Sequence, residues 1–210
     1  MKTYISIWVV AIILAIATSA SAQTRVTVDV TPAFSPVEDL TTSPIATVWE
    51  TAIGQATESV RITMYSFTSV RVRDALFAAF DRGIDVRVVA DNENGKACTT
   101  SGAVNVRQLD GRGIVVKVYT PNRAGFIVHD KYLLVDSNLV VTGSANFTTA
   151  AQQFNHENQT MFRYVDGDHN FFDQFGQNFE DMWSDIVYQF NGTFRPYAEV
   201  CPLESNPKGN

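Results

Sequence analysis

The chain has 210 residues, 45% of them hydrophobic, with 22 acidic against 16 basic side chains, a formal net charge of −6 and two cysteines. That composition excludes a disordered, collagen-like or disulfide-dense protein and supplies enough apolar material for one substantial core. An acidic chain does not hold nucleic acid or an anionic membrane by overall charge, so an anionic partner must meet a local positive field.

Residues 1–22 read as a secretory signal. Lys2 is the one charged side chain of Met1–Tyr4, Ile5–Ala17 is apolar except for Ser6, and Ala20-Ser21-Ala22 supplies small residues before a cleavage point. The apolar run falls short of the ~20 residues that a bilayer span needs. The expected mature chain starts at Gln23, lacks a later segment able to cross a membrane, and is secreted or periplasmic. In that oxidising setting Cys98 and Cys201 are expected to bridge, tying the C-terminal end to a mid-chain loop; two free thiols or a link between chains are the alternatives. A loop that long contributes about 4 kcal/mol in the chain-entropy treatment.

Arg25–Val30 alternates β-branched and polar residues, as an opening strand does. From Ser43 and Pro44 onward, Ile45, Val48, Trp49, Ala52 and Ile53 keep the spacing of a buried helix face. Val60–Phe67 returns to a β pattern, Val72, Ala75, Leu76, Ala79 and Phe80 mark a second helix, and Gly83 stands where a left-handed cap is needed. Ile84–Ala90 reads as a buried strand. This βαβαβ alternation predicts a layered α/β domain whose central sheet is largely parallel. Beyond a polar stretch, Asp91–Ser101, come a short helix over Val104–Leu109 and a strand over Ile114–Tyr119. Phe126–Val135 and Leu139–Thr142 form a hairpin about Asp136-Ser137-Asn138, and Thr160–Val165 is a further strand. Phe171, Phe172, Phe175, Phe179, Met182, Trp183 and Ile186 then line one helix face, a core stripe rather than a cofactor box. The domain is expected to span 23–187, with 188–210 a tail.

The chemistry concentrates in Phe126–Asp136 and Gly143–Asn146. On a strand, His129 and Lys131 project to the same face about 7 Å apart, and Ser144 and Asn146 enter the same pocket from the neighbouring segment. An imidazole, an ammonium, a hydroxyl and a carboxamide together suit a phosphoryl oxyanion. Lys131 supplies charge, Asn146 and Ser144 supply directed donors, and His129 acts as nucleophile or proton carrier. Such a set needs no metal. Taken singly, His129 suits a satisfied core histidine, Lys131 a snorkelling surface residue and Asp136 a turn former; the joint spacing favours a phosphate-handling site.

His129-x-Lys131, four residues to Asp136, six more to Gly143, then Gly-Ser-x-Asn, resembles the HxKxxxxD…GSxN signature of the phospholipase D superfamily. The resemblance is strongest to its small bacterial branch with one motif copy, the secreted or periplasmic endonuclease type. It continues through Tyr65-Ser66-Phe67-Thr68, Arg82–Val86, Asn146-Phe147-Thr148 and Asn155-His156-Glu157-Asn158. The resemblance implies the superfamily's layered fold, a mixed, mostly parallel sheet with helices on both faces. It also implies a homodimer that brings two copies of the motif into one site. His129 of one chain would form a phosphohistidine while the partner's His129 protonates the leaving oxygen and then activates water. Lys131 and Asn146 would hold the nonbridging oxygens with help from Ser144, Glu157 would accept a hydrogen bond from the imidazole, and Asp136 would give support away from substrate. No cofactor is implied. His156 and His169 match no motif position.

The leading expectation is a metal-independent phosphodiesterase cleaving nucleic acid with little sequence preference through backbone phosphates, with Arg123, Lys96, Arg71 and Arg73 as rim charges. A phospholipase is the alternative, opposed by the polar Asp91–Ser101 and Thr120–Gly125 stretches. A noncatalytic dimer that binds phosphate ligands is the third reading.

Overall fold

Residues 25–92, 101–123, 125–185 and 192–201 are described in a computed structural model. In chain order they form β1 (Val26–Ser35), α1 (Pro44–Gly54), β2 (Ser59–Met64), α2 (Val70–Asp81), β3 (Asp85–Asp91), α3 (Ser101–Gly111), β4 (Val115–Pro121), β5 (Tyr132–Val135), β6 (Leu139–Gly143), α4 (Thr149–Gln153), β7 (Glu157–Gly167), α5 (Asn170–Ser184), β8 (Gly192–Pro196) and α6 (Tyr197–Val200). The local signals act as read. Ser43 and Ser69 cap α1 and α2 by accepting from the backbone N–H groups of Ala46 and Val72. Gly83 follows α2 with φ +87°. Asp136 and Ser137 both have positive φ, and the Asn138 N–H closes the tight β5–β6 turn on Val135 O at 3.1 Å.

The strands make one eight-stranded sheet ordered β1-β7-β6-β5-β2-β3-β4-β8. Side chains alternate between its faces. Ile62, Met64, Val86, Val88, Val116, Leu133 and Val141 pack with Trp49, Leu76, Leu109 and other buried residues of α1, α2 and α3. On the opposite face Val89, Tyr119 and Tyr132 meet Phe179 and Met182 of α5, and Leu134 and Val140 meet Phe172. Helices therefore cover both faces, and no helix among the described residues is long and apolar enough to cross a membrane.

The architecture is the expected mixed α/β one, but parallel pairing is narrower than predicted. Among the described strands, β2–β3 and β3–β4 pair parallel and the other pairings are antiparallel. The βαβ pattern identified the parallel centre and left the flanking strands unplaced. β1 runs to Ser35 and pairs along β7. The predicted tail is also part of the sheet. β8 pairs with β4, Phe194 stacks on Tyr119 with ring centroids 5.0 Å apart, and Tyr197 is buried. A five-residue edge strand that opens on Gly and ends in Pro looks like a turn when read locally. Gly192 is required at its start, because a Cβ there would lie 2.5 Å from Thr120 O.

Residues 1–22 and Cys98 lie outside the described residues. Cys201 is buried at the end of α6.

Candidate active site

The strand register brings the segments that carry His129, Lys131, Ser144, Asn146 and Glu157 to one edge of the sheet. Met64 lies opposite Ala90, Asp91 opposite Tyr119, Thr63 opposite Tyr132, and Gly143 opposite Gln159. The C-terminal ends of β2, β3, β4 and β6 thus share an edge with the N-terminal ends of β5 and β7, and ligands of α/β sheets bind outside the carboxyl ends of such strands. The predicted strand over Phe126–Val135 begins only at Tyr132. His129 and Lys131 sit in the irregular segment leading into it, where Val128 N donates to a buried carboxylate, Asp91 Oδ2, at 2.6 Å in place of a ladder bond.

His129 is exposed, and its ring packs on Tyr65, centroids 4.8 Å apart and planes tilted by 59°. Lys131 is 8% exposed; its Nζ donates to His129 O at 2.5 Å and lies 5.5 Å from the Tyr65 ring centroid. Burial pushes the Lys131 pKa down, against the stabilising charges of Asp130 and Glu157. Asp130 is exposed as a residue, yet its carboxyl is crowded by the chain. Loss of hydration raises its pKa against the pull of Lys131 and His129.

The Asn146 segment is clamped against the strand that carries Tyr65. Phe147 is fully buried on Trp49 at 4.8 Å between centroids, and its carbonyl accepts from the N–H groups of Thr68 and Ser69, each at 3.0 Å. Asn146 makes no side-chain hydrogen bond among the described residues, its Oδ1 being buried without a partner. Its carboxamide is therefore not spent on the scaffold. Ser144 is committed elsewhere. Its Oγ donates to Glu157 Oε2 at 2.5 Å and accepts from Asn158 N at 3.1 Å, while Asn155 Nδ2 donates to Glu157 Oε1 at 3.3 Å. Glu157 makes no hydrogen bond or ion pair with His129 of its own chain; β6 separates β7 from β5 in the sheet. Within one chain the Glu157 carboxylate is bonded to the Ser144 hydroxyl.

Asp136 lies at the opposite end of β5, roughly 16 Å from Lys131 at about 3.3 Å per residue. It accepts from Thr57 N and Oγ1, Glu58 N and Ser59 N at 2.7–2.9 Å, tying the hairpin to the start of β2. Burial, which alone would raise its pKa, is outweighed by those donors, and the pKa is lowered. Arg123 is exposed in the loop after β4, with no ion pair to the described residues. Arg71 and Arg73 are instead paired within the fold. Arg71 makes a bidentate bond to Glu50, and Arg73 binds Asp74 and Gln108. Lys96 lies outside the described residues. His169 pairs with Asp173 at the start of α5, and no His, Cys, Asp and Glu cluster able to hold a metal occurs among the described residues.

Sequence reasoning assigned no role to Tyr65, although it directly follows the apolar run of β2, at the edge where the site lies. It also missed an apolar hollow of about 320 Å³ beside His129, because Phe126 and Ile127 read as strand residues and are instead exposed, 37% and 41%.

The uncommitted carboxamide of Asn146, the buried ammonium of Lys131 and the exposed imidazole of His129 thus come from segments at the carboxyl edge of a mixed sheet. Residues 50–183 match the family model described as "Cardiolipin synthase, PLD-like domain", and the chain belongs to that family. It is 31% identical over 156 residues to the mitochondrial cardiolipin hydrolase of Homo sapiens, covering 74% of this chain and 55% of that one. It is 32% identical over 106 residues to a phospholipase D of Rickettsia conorii, covering 50% of each. The chain spans about half the length of the curated relatives it matches. Among solved structures it is similar to Nuc, a phospholipase D family member from Salmonella typhimurium, at 29% identity and a TM-score of 0.66, covering 81% of this chain and 99% of that one.

Proposed function

We propose that the protein is a homodimeric, metal-independent endonuclease, secreted or periplasmic, that hydrolyses DNA or RNA phosphodiesters with little sequence preference. The observation that carries this reading is the meeting of His129 and Lys131 on the Tyr65 ring in a chain with one HxK motif. The resemblance of that motif to the small endonuclease branch supports it, as does the match to nearly the whole of Nuc. His129 attacks phosphorus, and the phosphorus–oxygen bond to the leaving group breaks as the phosphohistidine forms. His129 of the partner subunit gives its proton to the departing oxygen, then takes one from the water that cleaves the phosphorus–nitrogen bond. Lys131 and Asn146 hold the nonbridging oxygens. Ser144 fixes the Glu157 carboxylate, which is thereby placed to orient an imidazole of the second subunit. Arg123 and Lys96 meet flanking phosphates, and a bridge between Cys98 and Cys201 suits the oxidising compartment.

Hydrolysis of phospholipid is the second reading. It is favoured by the exposed Phe126 and Ile127 beside His129, which weaken the argument from polar loops, and by the names of the curated relatives.

Plasmid DNA, RNA and phospholipid vesicles, incubated side by side with EDTA throughout, separate these readings. The nuclease reading expects cleavage of DNA or RNA by the wild type, none by His129→Asn, and a dimeric mass for both by sedimentation. Cleavage of vesicles alone transfers the activity to lipid. Binding of DNA without turnover supports the noncatalytic alternative.

A further inference from the structure

We infer that the hollow beside His129 is a base-binding subsite that receives the nucleoside on one side of the scissile phosphate, so the enzyme prefers unpaired nucleotides. The inference rests on the nuclease reading. The hollow, about 320 Å³, is walled by Tyr119, Phe126, Ile127, Met182 and Phe194, with His129 and Asp130 as its ionisable members. His129 belongs both to this wall and to the phosphate site. A group held in the hollow is therefore a substituent of the phosphodiester under attack.

Three features select a base over an acyl chain. The wall is rich in rings, with Tyr119 and Phe194 already paired at 5.0 Å and Phe126 37% exposed. Aromatic rings stack on the π-face of any base without reading its sequence. The volume lies at the small end of the ~300–1,000 Å³ range of ligand pockets, enough for one ring system with its sugar and too small for a pair of lipid chains. Finally, Asp130 is among the residues that line the hollow. A carboxylate accepts hydrogen bonds from the exocyclic amines of bases, whereas a hydrocarbon chain gains nothing from it and leaves its desolvation uncompensated. A base seated here has left its duplex stack, which costs least when it is unpaired.

The test uses short single-stranded DNA oligonucleotides with one cleavable phosphodiester, made with a normal nucleotide or an abasic residue on either side of it. Wild type and Phe126→Ala are compared in EDTA, with vesicles of phosphatidylglycerol and cardiolipin as a parallel arm. On one side of the phosphate, loss of the base should lower kcat/KM by roughly 10- to 100-fold. Phe126→Ala should lose a similar factor on the normal oligonucleotide and little more on that abasic one. Ile127→Ala, which removes wall area without a ring, should lose less. A duplex carrying the same site should be cut more slowly than the single strand. Equal cleavage of normal and abasic oligonucleotides, or an equal loss on both in Phe126→Ala, overturns the subsite while leaving the nuclease reading intact. If no oligonucleotide is cleaved and vesicle hydrolysis falls in Phe126→Ala, the hollow holds lipid, and both the nuclease reading and this inference fail.

Discussion

Tyr65 and His129 are packed ring on ring, 4.8 Å between centroids, and the same Tyr65 ring lies 5.5 Å from the Lys131 ammonium. One aromatic side chain at the end of β2 thus limits the motion of two groups that must address a single phosphorus. Misplacement of reacting groups by about 1 Å can cost on the order of 100-fold in rate. Tyr65→Ala should lower kcat by about 10- to 100-fold, and Tyr65→Phe should restore most of it because the ring does the positioning. Steady-state kinetics on an activated phosphodiester measure this; equal losses in both variants would assign the effect to the phenol hydroxyl instead.

Glu157 is held by Ser144 and Asn155, and makes no hydrogen bond or ion pair with His129 of its own chain. A carboxylate fixed in this way and acting through an imidazole affects the rate more than substrate affinity. Glu157→Gln should reduce kcat by about 10- to 100-fold, in line with losses seen when outer hydrogen-bond partners are removed, with KM nearly unchanged. A KM increase that accounts for the whole loss would make Glu157 a substrate contact.

Lys131 carries the pH dependence that the structure defines most directly. Burial lowers its pKa from the ordinary 10.5, only partly offset by Asp130 and Glu157. Between its folded pKa and ~10.4 the unfolded chain binds a proton that the native one lacks, so stability gains from Lys131 as pH rises through that window. Activity moves the other way, since the ammonium must be charged to hold the phosphate. The alkaline limb of kcat/KM, which reports the free enzyme, should fall below pH 10.5. In Lys131→Arg, which stays charged, the limb should move to higher pH on a lower plateau. An unmoved limb would assign the titration to another group.

Asp136 offers the opposite sign at the far end of β5. Its pKa is lowered by the donors of Thr57, Glu58 and Ser59. The stability it contributes is complete above the unfolded value of ~3.9 and is lost as pH falls through the folded value. Asp136→Asn should cost about 1–2 kcal/mol at neutral pH, the low end for bonds to a charged acceptor because the group is partly solvated. That difference should shrink below pH ~4, with activity per folded molecule unchanged. Denaturant titrations at pH 7 and pH 3 provide the comparison.

What could be read from the chain divides along the range of the interactions. Ser43-Pro44, Ser69, Gly83 and the apolar spacing of Ile45–Ile53 act within a turn or two, and α1 and α2 follow them closely. His129, Lys131, Ser144 and Asn146 were legible as a set because their spacing matches a family signature. Placement of β8 depends on Phe194 meeting Tyr119, residues far apart in the chain, which no local pattern announces. The loss of strand geometry at Phe126–Lys131 has a similar origin. Asp91, at the end of another strand, takes the Val128 N–H that a ladder would have used and turns Phe126 and Ile127 toward solvent. Arg71 looked free in sequence and is spent on Glu50, a partner that only tertiary packing supplies.

Gly143 joins the fold to the site most tightly. It is the last residue of β6, and a Cβ there would lie 2.3 Å from Asn158 O and 2.9 Å from Gln159 Cα, both on β7. Those atoms are backbone and α-carbon within a paired ladder, so neither can swing aside as a side-chain end would. Relief requires β6 and β7 to separate at the point where Ser144 N donates to Asn158 O at 3.1 Å. Gly143→Ala should therefore destabilise the protein by about 1–3 kcal/mol, the usual cost of overpacking. Because the shift falls between the strands that present Ser144, Asn146 and Glu157, kcat should drop by about 100-fold even in the fraction that folds. Circular dichroism melts paired with active-site-normalised rates separate the two effects; a stable Gly143→Ala enzyme with wild-type kcat would show that the β6–β7 spacing does not set the site.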